Sequence, residues 1–403
     1  MPSSRRVALR GWALPYWNYF NQGQNKLPPT FANPGTAADP NPLFVRQRYG
    51  PNGTGQNVRV PTNKISQAAL NDPVFDGAAD GGSVGFGGPI TTFQHASQTV
   101  PHGHLERNPH DIVHDQVGGT RNNDQLTPGL MGDPDTAALD PIFWLHHANI
   151  DRMWEQWLRA PGDQHANPNT ADWLDGPNDG TFVMPLRDGS AWTYTAADVL
   201  SLTALRYSYD DLPTESTPGI PSPSAAAADG EGTAAVREEP DMASDRDVEL
   251  LGSNDEAVAM VGTQARTTVR LDGQVRDKVT TSLAGTDTER GTDRVFLNLE
   301  NVRGIAAGAT LDVFLDVPGR SGTEEERLAG SVGLFGLRKA SEPDGEHAGQ
   351  GLTVVLDITD VVHELHQGSG LPDHLDVRIV AEHPIPEAAH LRIGRISVFR
   401  QGG

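Results

Sequence analysis

The sequence contains no cysteine. That excludes a disulfide framework and any thiolate metal site, so a transition metal held here must sit on histidine and carboxylate. It also fits a reducing compartment, and a cytoplasmic location is the expectation, with secretion left open if the true N-terminus lies upstream. No apolar run approaches the roughly 18 residues of a membrane-spanning helix. Basic residues are scarce: 31 Lys and Arg stand against 53 Asp and Glu, a net charge of −22. Nucleic acid and anionic membrane both need basic patches, so neither is an expected partner. The acidity reads as solubility. The stretch Ser4-Arg5-Arg6-Val7-Ala8-Leu9-Arg10 has the arginine pair of an export signal. Pro15-Tyr16-Trp17-Asn18-Tyr19 follows it, where an apolar stretch and a cleavage site should stand, so export by this segment is not expected.

What is present points to several domains. A chain of 403 residues accommodates two or three. Its 44 Gly and 30 Pro argue for many turns and long irregular connections. Residues 1–213 hold all seven Trp and few strand patterns, and read as a helical, loop-rich domain. One helix stands out over 141–159. Asp140 is a candidate N-cap and Pro141 suits the first helical position. Phe143, His147, Ile150, Trp154 and Leu158 then recur on one stripe, which should face the core. A shorter helix over 109–116 should end at Gly118-Gly119. Residues 214–260 combine Pro, an alanine run and acids, and read as a flexible linker. Residues 261–403 carry alternating runs such as Leu311-Asp312-Val313-Phe314-Leu315 and Leu375-Asp376-Val377-Arg378-Ile379-Val380. They read as an all-β sandwich. The fold class is therefore multidomain α+β.

Two histidine segments carry the chemistry. His110 and His114 are four apart, so on a helix both rings leave one face, a turn apart, and could chelate one metal. A lone pair with this spacing is also a common surface accident. His147 falls on the apolar stripe of its helix, where a histidine is usually a satisfied core residue. Beside a pair on another helix it becomes a candidate third ligand. Three neutral imidazoles from two helices suit copper, and zinc nearly as well.

The segment Asp140-Pro141-Ile142-Phe143-Trp144-Leu145-His146-His147-Ala148-Asn149-Ile150-Asp151-Arg152-Met153-Trp154 closely resembles the second-copper signature of the type-3 copper proteins: tyrosinases, catechol oxidases and hemocyanins. Pro109-His110-Asp111-Ile112-Val113-His114 with Gly118-Gly119 resembles the first half of that site. Leu14-Pro15-Tyr16-Trp17-Asn18-Tyr19 is similar to the stretch that follows the family's first-copper site. Asp172-Trp173-Leu174-Asp175 and Leu205-Arg206-Tyr207-Ser208-Tyr209-Asp210 resemble plant polyphenol oxidases. Leu311 to Pro318, Leu328-Ala329-Gly330-Ser331 and Ile393-Gly394-Arg395-Ile396 resemble their C-terminal β-domain.

The resemblance implies copper on His110, His114 and His147. It makes His146 a non-ligand, either near the substrate pocket or on the helix surface. Glu106 matches a carboxylate that holds a water and could accept a phenolic proton, or it is a capping residue. Asp111 stands where many phenol-hydroxylating members have Asn. It keeps an acceptor oxygen, loses the amide donor and adds charge. Asp115 either tunes activity or is a solvated helix residue. Asp151 and Arg152 are expected to hold the helix in place, and the histidines from His165 to His390 to lie at the surface. The implied reaction is oxidation of o-diphenols, or of monophenols or o-aminophenols, to quinones with dioxygen.

The first-copper histidines should precede Leu14, and none does: the earliest histidine is His95. His95, His102 and His104 come too late. Reducing dioxygen by two electrons takes two cuprous ions, so one site in this chain is half a centre. The expectation is an N-terminally incomplete copper domain, either a fragment needing an upstream segment or partner chain, or a non-catalytic mononuclear copper-binding remnant. Loss of the core helices should expose the stripe containing His147 and weaken the isolated chain. The β-domain implies a latent enzyme, with Leu334-Phe335 on its covering edge.

Overall fold

The computed structural model describes residues 13–78, 80–89, 101–161, 165–176, 182–186, 188–212, 247–284, 293–316, 327–345 and 348–403. The arginine pair, His95 and positions 214–246 of the expected linker lie outside the described residues.

In the first half, a wide helical turn over Glu106–Asp111 runs into helix α1 (Ile112–Gly118), every residue of which is buried. The helix stops where expected. Gly119 has φ 58°, and a Cβ there would stand 2.2 Å from the Gly50 carbonyl oxygen. Both the backbone angle and the close approach require glycine.

Helix α2 (Ile142–Leu158) begins at the expected signal. The Ile142 N–H donates to Asp140 Oδ1 at 3.1 Å, and the Phe143 N–H to the Asp140 carbonyl at 3.0 Å. Asp140 is itself fully buried and forked by Arg48, whose Nε donates to Oδ2 at 2.8 Å. Phe143, Ile150, Trp154 and Leu158 of the expected stripe do pack against the core, but the stripe is not the sealed face of the helix. Phe143, His147, Ile150, Trp154 and Leu158 are only partly buried. The sealed face runs through Ile142, Leu145, His146, Asn149, Arg152, Met153 and Trp157. Three of those are polar, which moves the apolar pattern away from the buried one. Trp157 stacks on Phe86 at 4.3 Å between centroids and donates its indole N–H to the Asp72 carbonyl at 2.7 Å.

The description of this half as mainly helical is also corrected. Among the described residues 13–212, α2 is the one long helix; the rest is turns, one-turn helices and a hairpin of β1 (Phe182–Pro185) and β2 (Ala191–Tyr194). Asn33, Asp72, Asp124, Asp133, Asp140 and Asp175 stand at the C-caps of the short turns, residue types that favour leaving a helix over continuing it.

The second half is one antiparallel sheet rather than two stacked ones. Its strands are β3 (Val248–Ser253), β4 (Val258–Ala259), β5 (Gly262–Leu271), β6 (Arg294–Arg303), β7 (Thr310–Asp316), β8 (Leu328–Gly333), β9 (Leu352–Asp357), β10 (His374–Ile385) and β11 (Arg392–Gln401). They run in the order β8-β7-β10-β5-β3-β11-β6-β9, with β4 beside β11. The sheet curls until its two ends approach: a Cβ on Gly330 of β8 would stand 3.0 Å from Leu356 of β9. It is nearly a barrel, closed on one core that includes Leu297, Leu299, Val313, Leu315, Val377, Ile379, Ile396 and Val398. Helices α3 (Gly273–Ala284) and α4 (Thr359–Ser369) pack beside it. Strand β3 and β4 lie inside the span 214–260 read as linker, so the sheet begins earlier than expected. Glu249 and Ser253 hide the alternation there.

The halves meet across a largely polar seam. Lys64 Nζ bonds both Asp312 oxygens, at 3.0 and 2.8 Å. Gln116 Nε2 donates to Thr310 Oγ1 at 2.8 Å, and His383 Nε2 to the Pro51 carbonyl at 2.7 Å. His383 is thus a link between halves rather than a free surface residue. Val84 joins Phe296 and Val355 in a small apolar cluster at the same seam.

Candidate metal centre

α1 and the turn before it bring up His110 and His114; the first turns of α2 bring up His146 and His147. One donor nitrogen from each of the four lies within 4.8 Å of the others. His114 Nε2 and His147 Nε2 are 3.3 Å apart. His114 Nδ1 donates to the Met131 carbonyl at 2.7 Å. A carbonyl only accepts, so the proton is on Nδ1 and the Nε2 lone pair is bare toward His147. His110 Nδ1 donates to Asp111 Oδ1 at 2.9 Å, which leaves its Nε2 bare in the same way. His147 is braced by Phe143, stacked at 3.9 Å.

Burial holds the His114 and His147 rings neutral, the form that ligates. His114 is held well below the usual histidine range by burial and by its neighbours His110 and His147. His147 is pushed down to about 3 by burial and His110. Bare imidazole nitrogens facing one another in a desolvated pocket fit a soft or borderline cation, copper or zinc. The residues therefore suit the metal that the resemblance implies.

The other expected residues sort by position. His146 is fully buried, which corrects the helix-surface alternative. Its Nδ1 lies 3.4 Å from the Tyr19 hydroxyl, and its Nε2 is sealed without a hydrogen-bond partner. Glu106 is half-exposed, 3.9 Å from His102. Asp111 is buried and bridges two imidazoles, His110 through Oδ1 and His102 Nδ1 through Oδ2, the latter also at 2.9 Å. Burial alone would raise its pKa, yet His102 and then His110 hold it below the usual carboxylate range. Asp151 accepts from Tyr207 at 2.7 Å and from Tyr209, and Arg152 reaches Asp211 at 3.3 Å, so both tie α2 to the segment after it.

Asp115 is fully buried, which corrects its reading as a solvated residue. Its Oδ2 accepts the Leu334 N–H at 2.6 Å. That turn after β8 lays Phe335 on the site. Its ring stacks on His114 at 4.1 Å and 21°, and stands edge-on to His110 at 5.8 Å. The sequence reading missed Met131 and His102. A backbone carbonyl leaves no trace in a sequence. His102 did leave one: an acid at position 111, where Asn is usual, needs an extra donor.

Residues 4–160 match the family described as the common central domain of tyrosinase, and residues 247–401 match a domain of unknown function. Tyrosinase HcTyr1 from Hahella sp. (strain CCB-MM4) is 31% identical over 405 residues, covering 97% of this chain and 76% of that protein. The chloroplastic catechol oxidase B of Solanum tuberosum is 29% identical over 222 residues, 50% of this chain and 34% of its own length. Among solved structures, latent apple tyrosinase superposes with a TM-score of 0.54 at 22% identity, over 96% of this chain and 77% of that one. Latent aurone synthase, a polyphenol oxidase, gives 0.55 at 18% identity, over 97% and 71%. These likenesses show a shared fold across both halves. With the near-complete alignment to HcTyr1 and the converging histidines, the chain belongs to the tyrosinase family of copper proteins.

Proposed function

We propose that His110, His114 and His147 hold one copper, and that the reaction this centre serves is the oxidation of o-diphenols to quinones with dioxygen, with monophenols or o-aminophenols as further substrates. The observation that carries the reading is the 3.3 Å approach of His114 Nε2 to His147 Nε2, with the far nitrogen of His114 already committed to Met131. A bound copper would polarise the substrate oxygen and carry one electron at a time. Each diphenol gives up a pair of electrons and a pair of protons. Glu106, half-exposed beside the site, is placed to accept a phenolic proton. Asp111 has both oxygens occupied and orients His110 instead. His146, sealed behind the pocket, backs the ligand rings rather than touching substrate. Phe335 covers the ring face that an aromatic substrate would use, so the described arrangement is a closed, latent one.

One observation favours a second reading, a mononuclear copper protein without oxidase activity. Among the described residues the other cluster able to hold a metal is His102, Glu106 and Asp111, not three histidines. A second copper would take its ligands from a segment or chain outside the described residues. Elemental analysis of the copper-loaded chain, paired with oxygen uptake on a catechol, tests both. One copper per chain is expected. None would overturn the site, and two would overturn its single occupancy. Oxygen uptake would decide for the oxidase, and its absence at one copper per chain for the mononuclear protein.

A further inference from the structure

We propose that His102 is a positioning residue for the metal centre, holding Asp111 against His110 so that one ligand ring keeps a fixed tautomer and plane. The inference rests on the reading of His110, His114 and His147 as a copper site.

Asp111 is 6% exposed, and its two oxygens each meet an Nδ1 at 2.9 Å, His110 on one side and His102 on the other. A carboxylate only accepts, so both imidazoles donate. The bond to His110 puts the proton on Nδ1 and turns the bare Nε2 toward His114 and His147. A carboxylate gripped at one oxygen can still swing about its Cβ–Cγ bond. A second donor on the other oxygen fixes its plane, and with it the ring of His110.

The charge balance points the same way. A buried carboxylate is costly without donors, and burial together with Asp111 pushes Asp115, one turn further along, toward its neutral form, so Asp111 carries the charge. Arg107 attracts it from a distance. His102, 30% exposed and close to both Glu106 and Asp111, is the group that meets it directly. Burial would lower the His102 pKa, but Glu106 and Asp111 lift it to about 10. With Asn at position 111, one arm would be a donor and this double grip could not form. Asp111 and His102 therefore belong together as one device, built from a residue outside the ligand motif.

The test compares His102→Leu with His102→Gln, whose amide keeps a donor, in the full-length chain. Copper(II) affinity is read by competition with a chelator. Orienting partners of ligand histidines are worth roughly 10–100-fold in metal affinity, so the leucine variant should weaken binding by about that much. The glutamine variant should stay within about threefold. On an Asp111→Asn background, His102→Leu should add less than about twofold, because the device is already broken. Long-range nitrogen–proton spectra of the metal-free chain should show His110 protonated on Nδ1 in the unaltered protein and in the glutamine variant. In the leucine variant that signal should give way to a mixture of tautomers. Should the leucine variant fail to fold, His102→Ser, too short to reach Asp111, repeats the comparison. Equal affinities for the unaltered chain and the leucine variant would overturn the positioning role and leave the metal site standing. So would additive losses, or losses matched by a fall in metal-free melting temperature. An unaltered chain that binds no copper would overturn both.

Discussion

His147 is the residue on which the proposed ligand set turns. It brings the nitrogen closest to that of His114, from a different helix, so truncating it removes the cross-helix donor without touching the pair on α1. His147→Ala should weaken copper(II) binding by at least about 100-fold, as expected when one of three donors is lost outright rather than merely disoriented. Chelator competition would measure it, and a loss under tenfold would argue that His146, whose Nε2 is sealed without a partner, takes over. Phe335 sets a different quantity. Its ring lies flat on His114, so it restricts approach to the ligand nitrogens rather than their affinity. Phe335→Ala should speed copper uptake in stopped-flow mixing by about tenfold while changing the equilibrium constant far less, the equivalent of removing roughly 1.4 kcal/mol from a gating step. An unchanged rate would mean that metal enters by another route.

Helix α2 shows what its sequence can and cannot say. Its start was legible because Asp140 and Pro141 are local signals: one supplies an acceptor to a free N–H and the other presets the backbone angle. The face it buries was not, because His146 meets Tyr19 and Arg152 meets Tyr16 and Asp211, partners far along the chain, while a hydropathy pattern assigns such side chains to water. The same limit explains the sheet. Alternation in β7 and β10 revealed strands, but the closing of one continuous sheet depends on which strands pair, and neighbours such as β11 and β3 are far apart in the chain. The cap of α2 also makes a prediction. Asp140 and Arg48 are 0% and 2% exposed, so removing Asp140 leaves Arg48 charged in the core with backbone carbonyls but no counter-charge. Asp140→Ala should cost about 3–5 kcal/mol in urea unfolding, well beyond the ~1 kcal/mol of an exposed helix cap. A loss near the smaller figure would show that water reaches Arg48.

At the scale of the whole molecule, the turn after β8 lays Phe335 on the proposed metal centre, and its hold runs through α1, the helix that carries His114. Asp115 is the residue after His114, and it accepts the Leu334 N–H, next to Phe335 in the turn after β8. The sequence could not reveal this, since Asp115 and Leu334 are 219 positions apart. Beside the small Val84–Phe296–Val355 cluster, the other ties are scattered and polar, as in interfaces between domains that can part: Lys64 with Asp312, Gln116 with Thr310, His383 with Pro51. Cutting the covalent connection should therefore not release the cover unless Asp115 is also lost. With a protease site engineered into residues 221–240, the nicked chain should still elute as one species at micromolar concentration. Asp115→Ala orphans the buried Leu334 donor, a loss of about 1–3 kcal/mol, so the nicked variant should divide into two species or take up copper at least about tenfold faster. Separation of the unaltered nicked chain would mean that the connection, and not the Asp115 contact, keeps Phe335 on the metal centre.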